Sequence, residues 1–85
     1  MVQIKRIWFD ENRLWAEFYD GRTVDVPTKW FPNLSKGSPQ QLDRYEIWGD
    51  NQYIHWPDLD EDISAETLIS LSMQGLAEAL PKGSG

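Results

Sequence analysis

The chain has 85 residues, no cysteine and a net charge of −6, with 40% apolar and 13% aromatic residues, including five tryptophans. That length bounds it to one domain with a thin stability margin, and the missing thiols exclude a disulfide framework or a thiolate metal site. Residues 1–44 carry seven Lys/Arg against six Asp/Glu, whereas residues 45–85 carry one Lys against eight Asp/Glu, so the second half repels phosphate backbones and direct nucleic-acid binding is not expected.

Residues 2–27 read as three antiparallel strands. The middle one alternates cleanly, with Leu14, Ala16 and Phe18 on one face and Arg13, Trp15, Glu17 and Tyr19 on the other. The third places Val24 and Val26 together. A two-residue turn at Asp20-Gly21 would set Ala16 opposite Asp25 and split the apolar set, as any one-residue slip must. A three-residue loop, Tyr19-Asp20-Gly21, with Gly21 left-handed in a bulge, sets Ala16 opposite Val24 and Leu14 opposite Val26. The first turn falls near Asp10–Arg13. In the first strand Ile4 and Trp8 compete with Ile7 and Phe9 for the inner face, which leaves large rings on both sides.

Pro27 closes the third strand, and Thr28–Leu34 reads as a short helical turn limited by Pro32. Ser38-Pro39-Gln40-Gln41 supplies an N-cap, a proline at the first helical position and a glutamine three after the cap, predicting a short helix over 39–44. Tyr45–Trp48 and Gln52–Trp56 predict a second hairpin around Gly49-Asp50-Asn51. Pro57 ends it, and the acidic stretch Asp58–Asp62 is expected as a loop. Ser64 caps a last helix with Leu68, Leu71 and Ile69 facing inward, and Leu76 and Leu80 suggest a further turn. The expected architecture is α+β: a small antiparallel sheet, made of a three-stranded meander plus a second hairpin, packed with two or three short helices. Residues 1–80 form a single domain, and 81–85 are expected as a disordered tail.

The stretch from Ile54 to Ile63 concentrates the candidate chemistry, with the sole histidine and four carboxylates. Asp58, Asp60 and Asp62 alternate like the start of a calcium loop, but the glycine and glutamate such a loop needs fall at Ile63 and Ile69. His55 alone offers at most one nitrogen ligand. With Asp58 or Asp60 it could form a base and its orienter, yet no nucleophile stands near it in sequence. A surface strand histidine beside a carboxylate is the simpler reading. The aromatics suit a protein interface better than a nucleic-acid platform, because the basic groove is missing. No cofactor or metal is expected.

Three segments resemble a known family. Phe18-Tyr19-Asp20-Gly21-Arg22, Val24–Pro27 with Trp30–Leu34, and Ile54–Ser64 are similar to the small bacterial proteins grouped as domain of unknown function 2442, over about residues 3–72. The resemblance implies a small α+β fold with no established activity. It also implies an association with a neighbouring-gene partner of the domain of unknown function 4160 group, in a suspected toxin–antitoxin pair of which this chain would be the antitoxin-like member. Some relatives carry a helix-turn-helix domain after this one, which this sequence is expected to lack.

The expectation is therefore a non-enzymatic protein-interaction module. Trp56, Asp58, Asp60, Glu61, Asp62 and Trp30 are its predicted partner-binding residues, and a basic protein surface is its partner. The alternative is a divalent-metal or small hydrolytic site using His55, Asp58, Asp60 and Asp62. A homodimer through the two-sided aromatic sheet is a third option. No apolar run approaches the roughly 20 residues that span a bilayer, and the N-terminus lacks a signal-peptide core, so a cytoplasmic location is expected.

Overall fold

The computed structural model describes residues 2–79, with two three-stranded antiparallel sheets and three helices in an α+β arrangement. The first sheet is a meander of β1 (Ile4–Asp10), β2 (Arg13–Phe18) and β3 (Thr23–Pro27). A 3-10 turn (Thr28–Trp30), α1 (Pro32–Ser35) and α2 (Pro39–Asp43) lead to the second sheet, β4 (Glu46–Trp48), β5 (Tyr53–Trp56) and β6 (Glu61–Ser64). Helix α3 (Ala65–Ala79) follows directly. The expected tail 81–85 and the side chains of Leu76 and Leu80 lie outside the described residues.

The predicted β2–β3 register is observed: Ala16 faces Val24 and Leu14 faces Val26. Gly21 has φ +96°, and the amide of Phe18 bonds the carbonyl of Arg22 across the three-residue loop. The β1–β2 turn is tighter. Glu11 and Asn12 both have positive φ, which matches a turn twisted like its flanking strands.

The conflict over the inner face of β1 is resolved by a bulge. Ile4 pairs with Phe18 but Arg6 pairs with Glu17, leaving Lys5 as the extra residue. The shift of one lets Ile4, Ile7 and Phe9 all point inward, although a strict alternation would separate Ile4 from the other two. Trp8 and Trp15 are left on the outer face, stacked with centroids 6.0 Å apart, and the Arg6 guanidinium lies 4.7 Å over Trp8. Arg13 pairs with Asp25, and Arg6 with Glu17 at 2.7 Å, so this face is covered by its own side chains. The Arg6 hydrogen bond holds the Glu17 carboxyl below its ordinary value, against an opposing desolvation and with help from the Lys5 and Arg6 charges. A depressed carboxyl stabilises the fold above its unfolded pKa, and that contribution is lost as pH falls through the lower folded value.

The second sheet differs from expectation by one strand. The sequence predicts an acidic loop over Asp58–Asp62, and although Ser64 caps α3 as predicted, Glu61–Ser64 is not a loop. It instead pairs with β5, with Ile63 opposite Ile54, Asp62 opposite His55 and Glu61 opposite Trp56. A tight turn after Pro57, with Asp60 at φ 51°, reverses the chain so that half of the acidic stretch is strand.

The inner faces of the two sheets share a single core. Ile4, Ile7, Leu14, Ala16, Phe18 and Val26 of the first meet Ile54, Trp56 and Ile63 of the second, with Leu34, Ala65 and Leu68 closing the sides. Ile69 and Leu71 pack at its margin, as their helical spacing predicted. Phe9 and Trp56 meet edge to face across the core, at 6.3 Å. The sheets are also fastened by polar bonds. The Ile4 amide donates to Asn51 O at 2.8 Å, the Asn51 side-chain amide donates back to Ile4 O at 3.0 Å, and the Gln52 amide group reaches Val2 O.

Helix α2 has the predicted capping box: Ser38 Oγ accepts from the Gln41 amide, and Gln41 Oε1 accepts from the Ser38 amide. None of its residues is fully buried, so its position depends heavily on that cap. Ser38→Ala is expected to lower the unfolding free energy by about 1 kcal/mol in urea denaturation. Hydrogen exchange should accelerate locally at residues 40–43.

Candidate functional site

The outer face of the second sheet is built from alternate residues of three strands. Cross-strand pairing sets Glu46, His55 and Asp62 in one row and Trp48, Tyr53 and Ser64 in the next. Among the described residues, no helix covers this face. Trp48 is 50% exposed and Tyr53 52%, the two most exposed rings in the molecule after Tyr19 in the Asp20-Gly21 loop. Gly49, at φ +59°, lies so close to the Tyr53 ring that an added Cβ would meet it at 2.8 Å, so the turn glycine helps seat that ring.

His55 links its own row to the next. Its ring stacks on Trp48 with centroids 4.2 Å apart, and its Nδ1 donates to Asp62 Oδ1. The imidazole is thereby held in one orientation between an indole and a carboxylate. The expected neighbours were Asp58 and Asp60, the nearest carboxylates in sequence. Asp62 is the partner because β6 brings it directly opposite. A base with an orienter needs a nucleophile, and the serine hydroxyl on this face is committed elsewhere: Ser64 Oγ donates to Thr67 Oγ1 and accepts from the Thr67 amide, capping α3. Among the described residues, no three His, Asp or Glu side chains cluster closely enough to hold a metal ion.

The predicted docking residues divide into three groups. Asp58, Asp60 and Asp62 are exposed around the β5–β6 turn, with Asp58 paired to Arg44 at 3.3 Å. Glu61 is half-buried opposite Trp56. Trp56 itself is a correction. It is 0% exposed, and its Nε1 donates to Leu42 O at 3.1 Å, so it is a core ring that ties α2 to the second sheet. The alternation that sets it beside Ile54 and opposite His55 already pointed inward. Trp30 is half-buried in the 3-10 turn after the first sheet and packs against the core, apart from the acidic face. Missing from the prediction were Trp48 and Tyr53. Both fall on the same parity as His55, and that shared parity was the available signal.

Residues 4–74 match the family described as "Protein of unknown function (DUF2442)". The chain is also similar to a protein of unknown function from Rhodospirillum rubrum, whose crystal structure superposes with a TM-score of 0.71 at 26% identity, covering 82% of this chain and 87% of that one. No curated protein gives a significant match. No described helix is long and apolar enough to cross a membrane.

Proposed function

The chain belongs to the DUF2442 family, whose description assigns no activity, and from that premise we propose that it is a non-enzymatic protein-interaction module. The observation that carries this reading is the open face of the second sheet, where two half-exposed aromatic rings stand among carboxylates. Aromatic rings held on a rigid sheet are efficient anchors, because they bury large area while losing few rotamers. Glu46 and Asp62 border the rings, and Asp58 and Asp60 extend the negative surface around the adjoining turn. The matching partner is a protein with a basic surface and shallow apolar hollows. An antitoxin-like role, covering a basic toxin encoded beside it, is one concrete form.

Co-expression with the product of the adjacent gene tests the reading, with the purified complex followed by association kinetics. The variant D58K/D60N/D62K keeps a residue at position 60 that tolerates its left-handed backbone. Its expected effect is an association rate lower by about tenfold at low salt, with a flatter salt dependence. An unchanged rate and slope would remove the electrostatic part of the proposal.

A further inference from the structure

The free edge of the first sheet offers a second surface of different chemistry. β1 is seven residues long and pairs only with β2. In the two-residue hairpin, Asp10 and Arg13 flank the turn and exchange backbone bonds, so Trp8 and Arg6 bond β2 in alternation with them. The bond between Phe18 N and Arg22 O confirms that even-numbered residues of β2 serve β3 and odd-numbered ones serve β1. The amide and carbonyl groups of Ile7 and Phe9 therefore point away from the sheet. Among the described residues neither has a backbone or side-chain partner there. Ile4, further along the same edge, has both of its outward groups taken by Asn51. The other edge strand, β3, has α3 packed against it.

Two cavities lie along this open stretch, of about 550 and about 500 Å³, and they share Phe9 and Leu42. Consecutive β1 residues line them: Ile7, Trp8 and Phe9 in one, Phe9 and Asp10 onward in the other. Neighbours in a strand point to opposite faces, so a cavity touching three in a row opens on the edge itself. Tyr45 and Leu42 form the far wall of one cavity, and Leu34 and Thr28 the floor of the other. Thr28 is 8% exposed, and its buried hydroxyl has no hydrogen-bond partner. Asp10, Glu11 and Asp43 stand on the rim against one cation, Lys29.

We infer that this groove receives an extended segment of a partner protein, in which apolar and basic residues alternate, as an added strand on β1. Ile7 and Phe9 supply the ladder. The cavities take the apolar side chains, and the rim carboxylates take the basic ones. The site is separate from the aromatic face of the second sheet and does not depend on the function proposed for it.

Capped heptapeptides with valine, isoleucine or phenylalanine alternating with lysine are the probes, titrated into the full chain by amide-resolved NMR. The expected result is binding by at least one of them, with the largest shifts and new exchange protection at the Ile7 and Phe9 amides. Two N-methylated forms of that peptide, one blocking each alternate set of nitrogens, separate edge pairing from adhesion. One form should lose about tenfold or more in affinity and the other little, because only one set faces β1. Asp43→Lys should weaken binding, and replacing the peptide lysines with glutamates should abolish it. The variants W48T and Y53T should leave it unchanged. No binding by any peptide at about 1 mM would overturn the inference, as would equal binding of both methylated forms or of the glutamate peptide. Protection of Ile7 and Phe9 that rises with protein concentration alone would also overturn it, in favour of pairing between two copies of this chain.

Discussion

Trp56→Ala should cost the domain a large share of its stability. Removing a fully buried tryptophan costs about 3–5 kcal/mol, and the entire stability of a chain of 85 residues is only about 4–13 kcal/mol. The side chain also supplies the Nε1 donor to Leu42 O, the hydrogen bond that holds α2 against β5. Its edge contact with Phe9 joins the two sheets across the core. Urea denaturation followed by far-ultraviolet circular dichroism provides the measurement. Trp56→Phe helps to separate the two contributions, because it keeps much of the ring volume and removes the donor. It should fold with intermediate stability, and protection should fall at residues 40–43. A fully stable Trp56→Ala variant would mean that the core assignment is wrong and that the ring is available at the surface.

The second large effect concerns binding rather than stability. Trp48→Thr and Tyr53→Thr should each weaken the complex with a basic partner by about 30-fold or more, as loss of a central aromatic anchor does. Threonine keeps the strand preference, and both rings are half-exposed, so the melting temperature should move little. Trp48→Thr also removes the stacking partner of His55, whose ring would then be held by Asp62 alone. Isothermal calorimetry on the purified complex, with circular dichroism as the folding control, tests both variants. Undiminished affinity in both would move the docking surface off this face.

Sequence legibility followed local periodicity. The β2–β3 register was readable because a slip of one residue would have put Asp25 opposite Ala16, and burial of one face forbids it. The capping box was readable because Ser38, Pro39 and Gln41 act within a single turn. The bulge at Lys5 was not, since an extra residue breaks the period of two on which the face assignment rests. β6 was hidden for another reason. Its four residues contain one large apolar side chain, Ile63, and its carboxylates resemble a solvated turn until Asp62 is placed against His55. The site shared that blindness. Distance along the chain favoured Asp58 and Asp60 as partners of His55, whereas pairing across strands selected Asp62. Trp56 was assigned to the surface by its acidic neighbours, against the parity that it shares with Ile54.

The bonds between Val2, Ile4 and the turn at Asn51-Gln52 carry a consequence for the order of folding. They join positions 47 and 50 residues apart, whereas the meander of β1, β2 and β3 is built from neighbours in the chain. Local hairpins close early, because short loops lose less entropy on closure. The first sheet can therefore assemble while the rest of the polypeptide is still being synthesised. The second is a meander of sequence neighbours too, so the step that waits is its docking, when residues 51 and 52 meet Ile4 and Val2. Hairpin pairing thus comes first in both halves, and the core that the two sheets share is the last part of the molecule to close.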